Sequence, residues 1–284
     1  MTTSTGVTSI RNNRVNEIMH NPVGPWAEAN ALYVTQAGIA QRLMEVSDQD
    51  LVIFDVGLGA AANAVAALTA SVQASTQAST QTNAQTNVQS GAKARGLCIV
   101  SFEKDLELLR FALANAHHFE HFRGFELALE QILKDGYWSE GGISWHLRHG
   151  DFLELIESET RRPDVIFFDP YSPKVNQEMW TTRCFAAIRK KCREAHEGGT
   201  ALYTYSRATR IRVAMMKAGF FVGYGEATGL KDETTVAATD PALLKSPLDK
   251  AWLERWRASH IRYPFDCVTS KEAEIDAFIE KLFL

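Results

Sequence analysis

The chain has 284 residues, 45% of them hydrophobic, enough to bury a large core as one domain with an appendage. Its formal net charge of −4 excludes a global attraction to nucleic acid, so any RNA contact has to come from a local basic patch. The cysteines Cys98, Cys184, Cys192 and Cys267 show no C-x-x-C spacing, which argues against a disulfide framework or a zinc site, and no uncharged apolar run approaches the ~20 residues needed to span a bilayer, so a cytoplasmic protein is expected.

Residues 1–20 are rich in Thr, Ser, Asn and Arg and are expected to be flexible. A turn at Asn21–Pro25 then leads into a helical pattern that runs to Leu43. Leu51–Phe54 form a compact apolar run ending in D-V-G-L-G-A-A-A-N-A, Asp55 to Ala64, which predicts a strand, a glycine turn and a helix. Gly57 and Gly59 permit a tight turn and a close ligand approach, and the helix start offers free N–H groups. Ala62 stands where a dinucleotide fingerprint has its third glycine, so the spacing favours S-adenosylmethionine over a pyrophosphate.

The stretch 71–93 is a near repeat of Gln, Ala, Ser, Thr and Asn and is expected to be a disordered insertion on the amino edge of the sheet. Leu97–Phe102 predict the next strand, with Glu103 at its end, where an acid can accept hydrogen bonds from ribose hydroxyls. An amphipathic helix follows from Asp105. His117 and His121 are four residues apart on an expected helical face, but no third ligand accompanies them and no metal is assigned. Ser144–His149 predict a strand that leads to Asp151, a good N-cap for a helix over Phe152–Ile156.

Val165–Phe168 are apolar without alternation, the mark of a strand covered on both faces. Asp169 then stands at the carboxyl end of this strand, the edge where open α/β sheets bind ligands. Pro170 and Pro173 stiffen the loop and delay any helix until about Val175, so the loop is suited to hold a substrate. Beyond it, a helix over Glu178–Ala195, a strand over Thr200–Tyr205 and a helix over Arg207–Ala218 are expected, with Phe220–Gly225 and Thr234–Thr239 as a closing strand pair. Two further helices, around Lys250–His260 and Lys271–Phe283, carry Trp252 and Trp256 on one face for packing. The pattern predicts an α/β, Rossmann-like, doubly wound and mainly parallel sheet with an antiparallel closing strand, over 21–240, and a helical extension over 241–284 packed on it.

The run D-P-Y-S-P-K-x-N-Q-E-M-W-T, Asp169 to Thr181, resembles the D-G-F-x-P-x-x-N-P-x-M-W signature of the MnmC-like methyltransferases, which act on the wobble uridine of tRNA. Pro170 and Gln177 replace the family's usual glycine and proline. Asp-Pro-Tyr is also similar to the acid-proline-aromatic tetrapeptide of methyltransferases acting on exocyclic amino groups. Asp55, Gly57, Gly59 and Asn63 match the family's acid-x-G-F-G-x-G-x-N pattern, with Ala61 in place of a glycine. The runs Thr204–Phe220 and Thr228–Glu233 are similar to the family as well, so the resemblance covers roughly 21–239.

What the resemblance implies is a class I S-adenosylmethionine-dependent methyltransferase that methylates the 5-aminomethyl group of uridine or 2-thiouridine at the tRNA wobble position. The cofactor set would be Glu28, Asp55, Gly57, Gly59, Asn63, Glu103 and Asp151, with Asp151 meeting the adenine amino group. Asp169, Pro170 and Tyr171 would form the catalytic loop, with Asp169 orienting the amine and accepting its proton. Tyr171, Lys174, Asn176 and Trp180 would contact the substrate, Tyr171 or Trp180 by stacking the extruded uridine. Arg183, Arg189, Lys190, Lys191, Arg193, Arg207, Arg210 and Arg212 are the candidate patch for the anticodon stem. No flavin fingerprint accompanies these motifs, so the chain reads as a methyltransferase without the family's oxidoreductase domain, dependent on upstream enzymes to install the amine. Two other readings stay open: an amino methyltransferase of a small molecule or protein, and an idle cofactor-fold protein that binds RNA or a partner.

Overall fold

A computed structural model describes residues 11–12, 17–18, 24–84, 95–228 and 232–284; of 11–12, 17–18 and 78–84 only the backbone is described. The flexibility expected for 1–20 falls largely outside these residues. One eight-stranded sheet organises the chain: β1 (Leu51–Val56), β2 (Leu97–Glu103), β3 (Tyr137–Glu140), β4 (Ile143–His149), β5 (Val165–Phe168), β6 (Ala201–Thr204), β7 (Phe221–Gly225) and β8 (Thr234–Ala238). In space the order is β3-β4-β2-β1-β5-β6-β8-β7. The five central strands are parallel, β3 and β8 run antiparallel to them, and β7 pairs antiparallel with β8 at the far edge.

The non-alternating strands are explained by helices on both faces. Ile53, Ile99, Val165, Phe167 and Tyr203 pack on one side with α2 (Ile39–Met44), α3 (Ala62–Ala84) and α5 (Glu126–Asp135). Phe54, Val100, Ile166, Phe168 and Leu202 pack on the other with α6 (Phe152–Ser158), α7 (Thr182–Lys191) and α8 (Thr209–Lys217). The α4 helix (Glu107–Ala114) is amphipathic as read from sequence. Both sheet faces are therefore buried, and function is confined to the strand ends and the loops that leave them.

Four segments differ from their sequence reading. Strand β3 was not anticipated; it forms a hairpin with β4 through Gly141 and Gly142, both at positive φ. The helix expected over Glu178–Ala195 is broken into a 3-10 turn at Gln177–Trp180, α7, and a second 3-10 turn at Ala195–Glu197, because Thr181 and Cys192 are extended. The amino-terminal helical pattern is an α-helical turn, α1 (Pro25–Glu28), then a π-helical stretch Ala29–Thr35, then α2 after a left-handed Gly38. The α3 helix enters the polar repeat and reaches Ala84, with Ser71 and Ala74 buried and Thr69, Ser75 and Thr76 donating to carbonyls four residues back. Residues 85–93 of that repeat lie outside the described residues.

The extension holds α9 (Lys250–Ala258) and α10 (Glu272–Leu282), which insert Trp252, Trp256, Ile275 and Ile279 into the core beside α7 and α8. Among the described residues no helix is long and apolar enough to cross a membrane.

Candidate active site

The strand order reverses at β1, which has β2 on one side and β5 on the other, so the crevice beyond the carboxyl ends of β1 and β5 is the switch point where such sheets bind ligands. The Asp169 N–H donates to the Val56 carbonyl at 2.9 Å and closes the β1/β5 ladder. Gly57 follows at once with φ of 90°, and a Cβ placed on it would sit 2.6 Å from the Asp169 carbonyl oxygen. This is a close backbone approach that glycine alone permits.

The glycine turn is tied to the end of β2. Gly57 N–H donates to the Phe102 carbonyl at 3.0 Å, and Gly59 N–H donates to Glu103 Oε2 at 2.9 Å. Glu103 Oε1 accepts from the N–H groups of Lys104 and Asp105 at 2.8 and 2.9 Å. Glu103 therefore anchors the turn as well as flanking the crevice. Ala61, where the family pattern has glycine, is buried with φ of 62°, a left-handed conformation that costs a side chain of order 1–3 kcal/mol.

Two aspartates set the electrostatics. Asp55 is fully buried; its Oδ2 accepts from Ser101 Oγ at 2.7 Å, Ser101 Oγ accepts from Trp145 Nε1 at 2.9 Å, and Oδ1 has no partner. Burial pushes the Asp55 carboxyl up to about 7. Asp169 keeps some solvent access, and its Oδ2 accepts from Asn63 Nδ2 at 2.9 Å. Desolvation, then the nearby charge of Glu28, raises it also to about 7, against the lowering effect of Asn63. The buried Tyr33 hydroxyl lies beside Asp169 without a well-formed hydrogen bond, and burial together with that carboxylate raises it well above its usual range. Among the described residues neither Asp55, Asp169 nor Glu103 has an ion-pair partner. Acids that no described cation pairs suit a positively charged ligand, and the orphaned Asp55 Oδ1 is an acceptor still lacking a donor.

The loop 169–181 is held from below. Pro170 O accepts from the Tyr205 hydroxyl at 3.1 Å, and Tyr171 O accepts from Trp180 Nε1 at 2.8 Å. Ser172 O accepts from the N–H groups of Val175 and Asn176. Trp180, expected among the substrate contacts, is fully buried against Phe168 and Tyr205, so it wedges the loop and offers no face to a base. Tyr171 and Asn176 are half-buried on the loop and Lys174 is exposed.

Other expected residues are committed elsewhere. Asp151 Oδ1 accepts from Leu153 N–H at 3.0 Å as the N-cap of α6, and Oδ2 pairs with Lys104 Nζ at 2.9 Å, which holds its carboxyl below the usual range. The basic patch is largely consumed. Arg212 is 1% exposed and bound to Glu233, Thr234 and Thr235, Arg189 forks onto Glu194, Lys191 donates to the carbonyls of Glu157 and Glu159, and Arg193 faces Asp164. His117 and His121 occupy separate 3-10 turns, and His121 stacks on Trp26 at 5.1 Å. The supporting residues Tyr33, Ser101, Trp145 and Tyr205 were missed by the sequence reading. Tyr205 lay within a run similar to the family; nothing local signals the others.

Replacing Glu103 with Ala removes the two oxygens that accept from three backbone N–H groups, that of Gly59 in the turn and those of Lys104 and Asp105 after β2. Cofactor affinity is expected to fall by about 1–3 kcal/mol, measured by calorimetric titration, and an unchanged dissociation constant would remove Glu103 from the site.

Comparison with known proteins agrees with this geometry. Residues 125–240 match a family described as S-adenosyl-L-methionine-dependent methyltransferase. The chain is 30% identical over 130 residues to the tRNA 5-methylaminomethyl-2-thiouridine biosynthesis bifunctional protein MnmC of Pseudomonas putida; the match takes in 45% of this chain and 19% of that protein, so it spans about a fifth of the relative's length. The crystal structure of MNMC2 from Aquifex aeolicus superposes with a TM-score of 0.70 and 21% identity, over 99% of this chain and 82% of that one, which shows a shared fold.

Proposed function

We propose that this chain, an MnmC-like S-adenosyl-L-methionine-dependent methyltransferase, methylates the amine of 5-aminomethyluridine, or its 2-thio form, at the wobble position of tRNA. The observation that carries the reading is Asp169: a carboxylate beside the glycine turn, steadied by Asn63, raised to about 7 and without a cationic partner among the described residues. The Pseudomonas relative's name supplies the substrate class.

When bound, the cofactor supplies a methyl group on a sulfonium. The residues fit such a group: Gly57 lets the loops after β1 and β5 meet at the crevice, Asp55 Oδ1 awaits a donor, and the carboxylates of Glu28, Asp55, Glu103 and Asp169 favour positive charge. Gly59 and Glu103 would hold it through the turn. Asp151 is left to cap α6 and to fix Lys104, and any adenine contact must share its two oxygens.

An alkylamine is mostly protonated near neutral pH and must lose a proton to present a lone pair. Asp169 accepts that proton at its carboxylate and orients the nitrogen, a task for which a base poised near 7 is well matched. Pro170 and Tyr171 shape the loop, because their carbonyls are pinned by Tyr205 and Trp180. Tyr171 is the aromatic residue left to stack the uridine, with Lys174 and Asn176 beside it. For tRNA phosphates the patch leaves Arg183 and Arg207, exposed after the carboxyl ends of β5 and β6 with Arg207 3.9 Å from Asp232, and the exposed Lys174 of the loop joins them.

The test is transfer of labelled methyl to tRNA from cells lacking the final wobble methylation, followed by nuclease digestion to identify the nucleoside. That tRNA is expected to take label and fully modified tRNA none. Label in neither, from a protein that binds the cofactor, replaces tRNA with a small amine or a protein as substrate.

A further inference from the structure

The segment 261–266, between α9 and α10, crosses the edge of the sheet where α7 and α8 begin. Asp266 accepts from the N–H groups of Thr182 through Oδ1 at 3.0 Å and of Arg183 through Oδ2 at 3.1 Å. These are the first two residues of α7, whose N–H groups have no partner inside the helix. Thr181 Oγ accepts from Cys184 N–H at 3.2 Å, so one local group and one distant group together satisfy the first turn. The same segment is fixed on its other side by α8: Arg210 Nε donates to the Ile261 carbonyl at 3.3 Å, and its guanidinium lies 4.4 Å from the centre of the Phe265 ring.

Loop 169–181 is thereby gripped at both ends. Its beginning is held by Asn63, Val56 and Tyr205, all within the sheet domain; its end is held by Asp266, from the extension. Between the two grips the backbone is crossed by short-range bonds within the loop, Val175 and Asn176 to Ser172, Met179 to Asn176, and Trp180 to Tyr171. Buried Met179 and Trp180 wedge the end of the loop, and Asp266 adds to them a hold on the backbone that follows. Asp266 lies beyond residue 240, where the match to the family stops.

We infer that Asp266 is a positioning residue for the substrate loop: by fixing the start of α7 it sets the direction in which Tyr171 to Asn176 face the crevice. This rests on the reading of 169–181 as the substrate loop. It gives the extension a part in catalysis without contact with the reacting atoms.

The test compares Asp266→Ala, Asp266→Asn and the wild-type full chain by hydrogen exchange, cofactor titration and methyl transfer to tRNA. Asp266→Ala is expected to raise exchange in 170–183 by about tenfold while β1 and β2 exchange as before and the cofactor dissociation constant is unchanged. Its kcat is expected to fall and its KM for tRNA to rise, by about tenfold in kcat/KM. Asp266→Asn, which keeps one acceptor oxygen, recovers most of both. Wild-type exchange in 170–183 overturns the proposal, and so does a rise spread equally over the whole chain. Should the Ala variant fail to fold, the Asn variant decides by the same two criteria, with intermediate exchange expected. If the wild-type protein labels no tRNA, the substrate reading fails, and exchange in the ligand-free chain still decides whether Asp266 holds the loop.

Discussion

Asp169→Asn is expected to lower turnover by roughly 10² to 10⁴ while leaving the cofactor dissociation constant within about threefold, because the amide keeps the shape and the contact with Asn63 but cannot take a proton. The readout is single-turnover methyl transfer beside a calorimetric titration. A variant that no longer binds cofactor would make Asp169 a cofactor ligand and remove it from the proton transfer. Wild-type activity should fall on the acid side as Asp169 becomes protonated, and the positive charge of bound cofactor moves that limb below 7. In the Asn variant the limb attributable to this group is absent.

The same substitution has an opposite effect on stability. In the folded, ligand-free chain Asp55 and Asp169 hold their protons up to about 7, whereas unfolded they release them near 4. Between these values the folded state binds more protons, so stability falls as pH rises across the window and is flat above it. Asp169→Asn removes one of the two contributions and should raise the melting temperature at pH 8, with less gain at pH 4. An equal gain at both would mean that packing, not titration, is responsible. The charge that catalysis needs is thus carried at a cost to the resting fold.

Gly57→Ala is the second change expected to have a large effect. Its Cβ would lie 2.6 Å from the Asp169 carbonyl oxygen and 3.0 Å from Pro170 N, and the backbone there has φ of 90°. Neither neighbour is the tip of a flexible side chain, so the loops after β1 and β5 must separate. A loss of about 3 kcal/mol or more is expected by thermal or denaturant unfolding, with cofactor binding weakened at least about 100-fold. Gly124→Ala is the control, because Gly124 has φ of 89° and nothing within 4 Å of the added carbon. It carries the backbone penalty alone, about 1 kcal/mol. Equal losses in the two variants would show that the close approach to Asp169 contributes nothing.

Local sequence alone determined where the strands of the central sheet lie and which loops leave their carboxyl ends. Runs such as Val165–Phe168 have no polar side to turn to water, so they specify a strand buried on both faces wherever they are placed. The glycine turn, the acid after each strand and the run Asp169–Thr181 were legible for the same reason: each is a short segment whose residue types limit its own backbone. The edge strand β3 was not, because an exposed four-residue pairing is decided by its partner β4.

Which side chains are free to act was settled only by tertiary structure. Trp180 and Tyr171 are equally plausible stacking residues on paper, and packing against Phe168 and Tyr205 buries the first and leaves the second half-buried on the loop. The basic run around α7 looks like an RNA surface until Glu194, Glu233 and backbone carbonyls claim most of its charges. The raised carboxyl of Asp169 depends on burial and then on the charge of Glu28, and the grip of Asp266 on Thr182 spans 84 residues. A charge, a proton affinity or a hydrogen bond is a property of two or more groups brought together, and no single segment of the chain contains both partners.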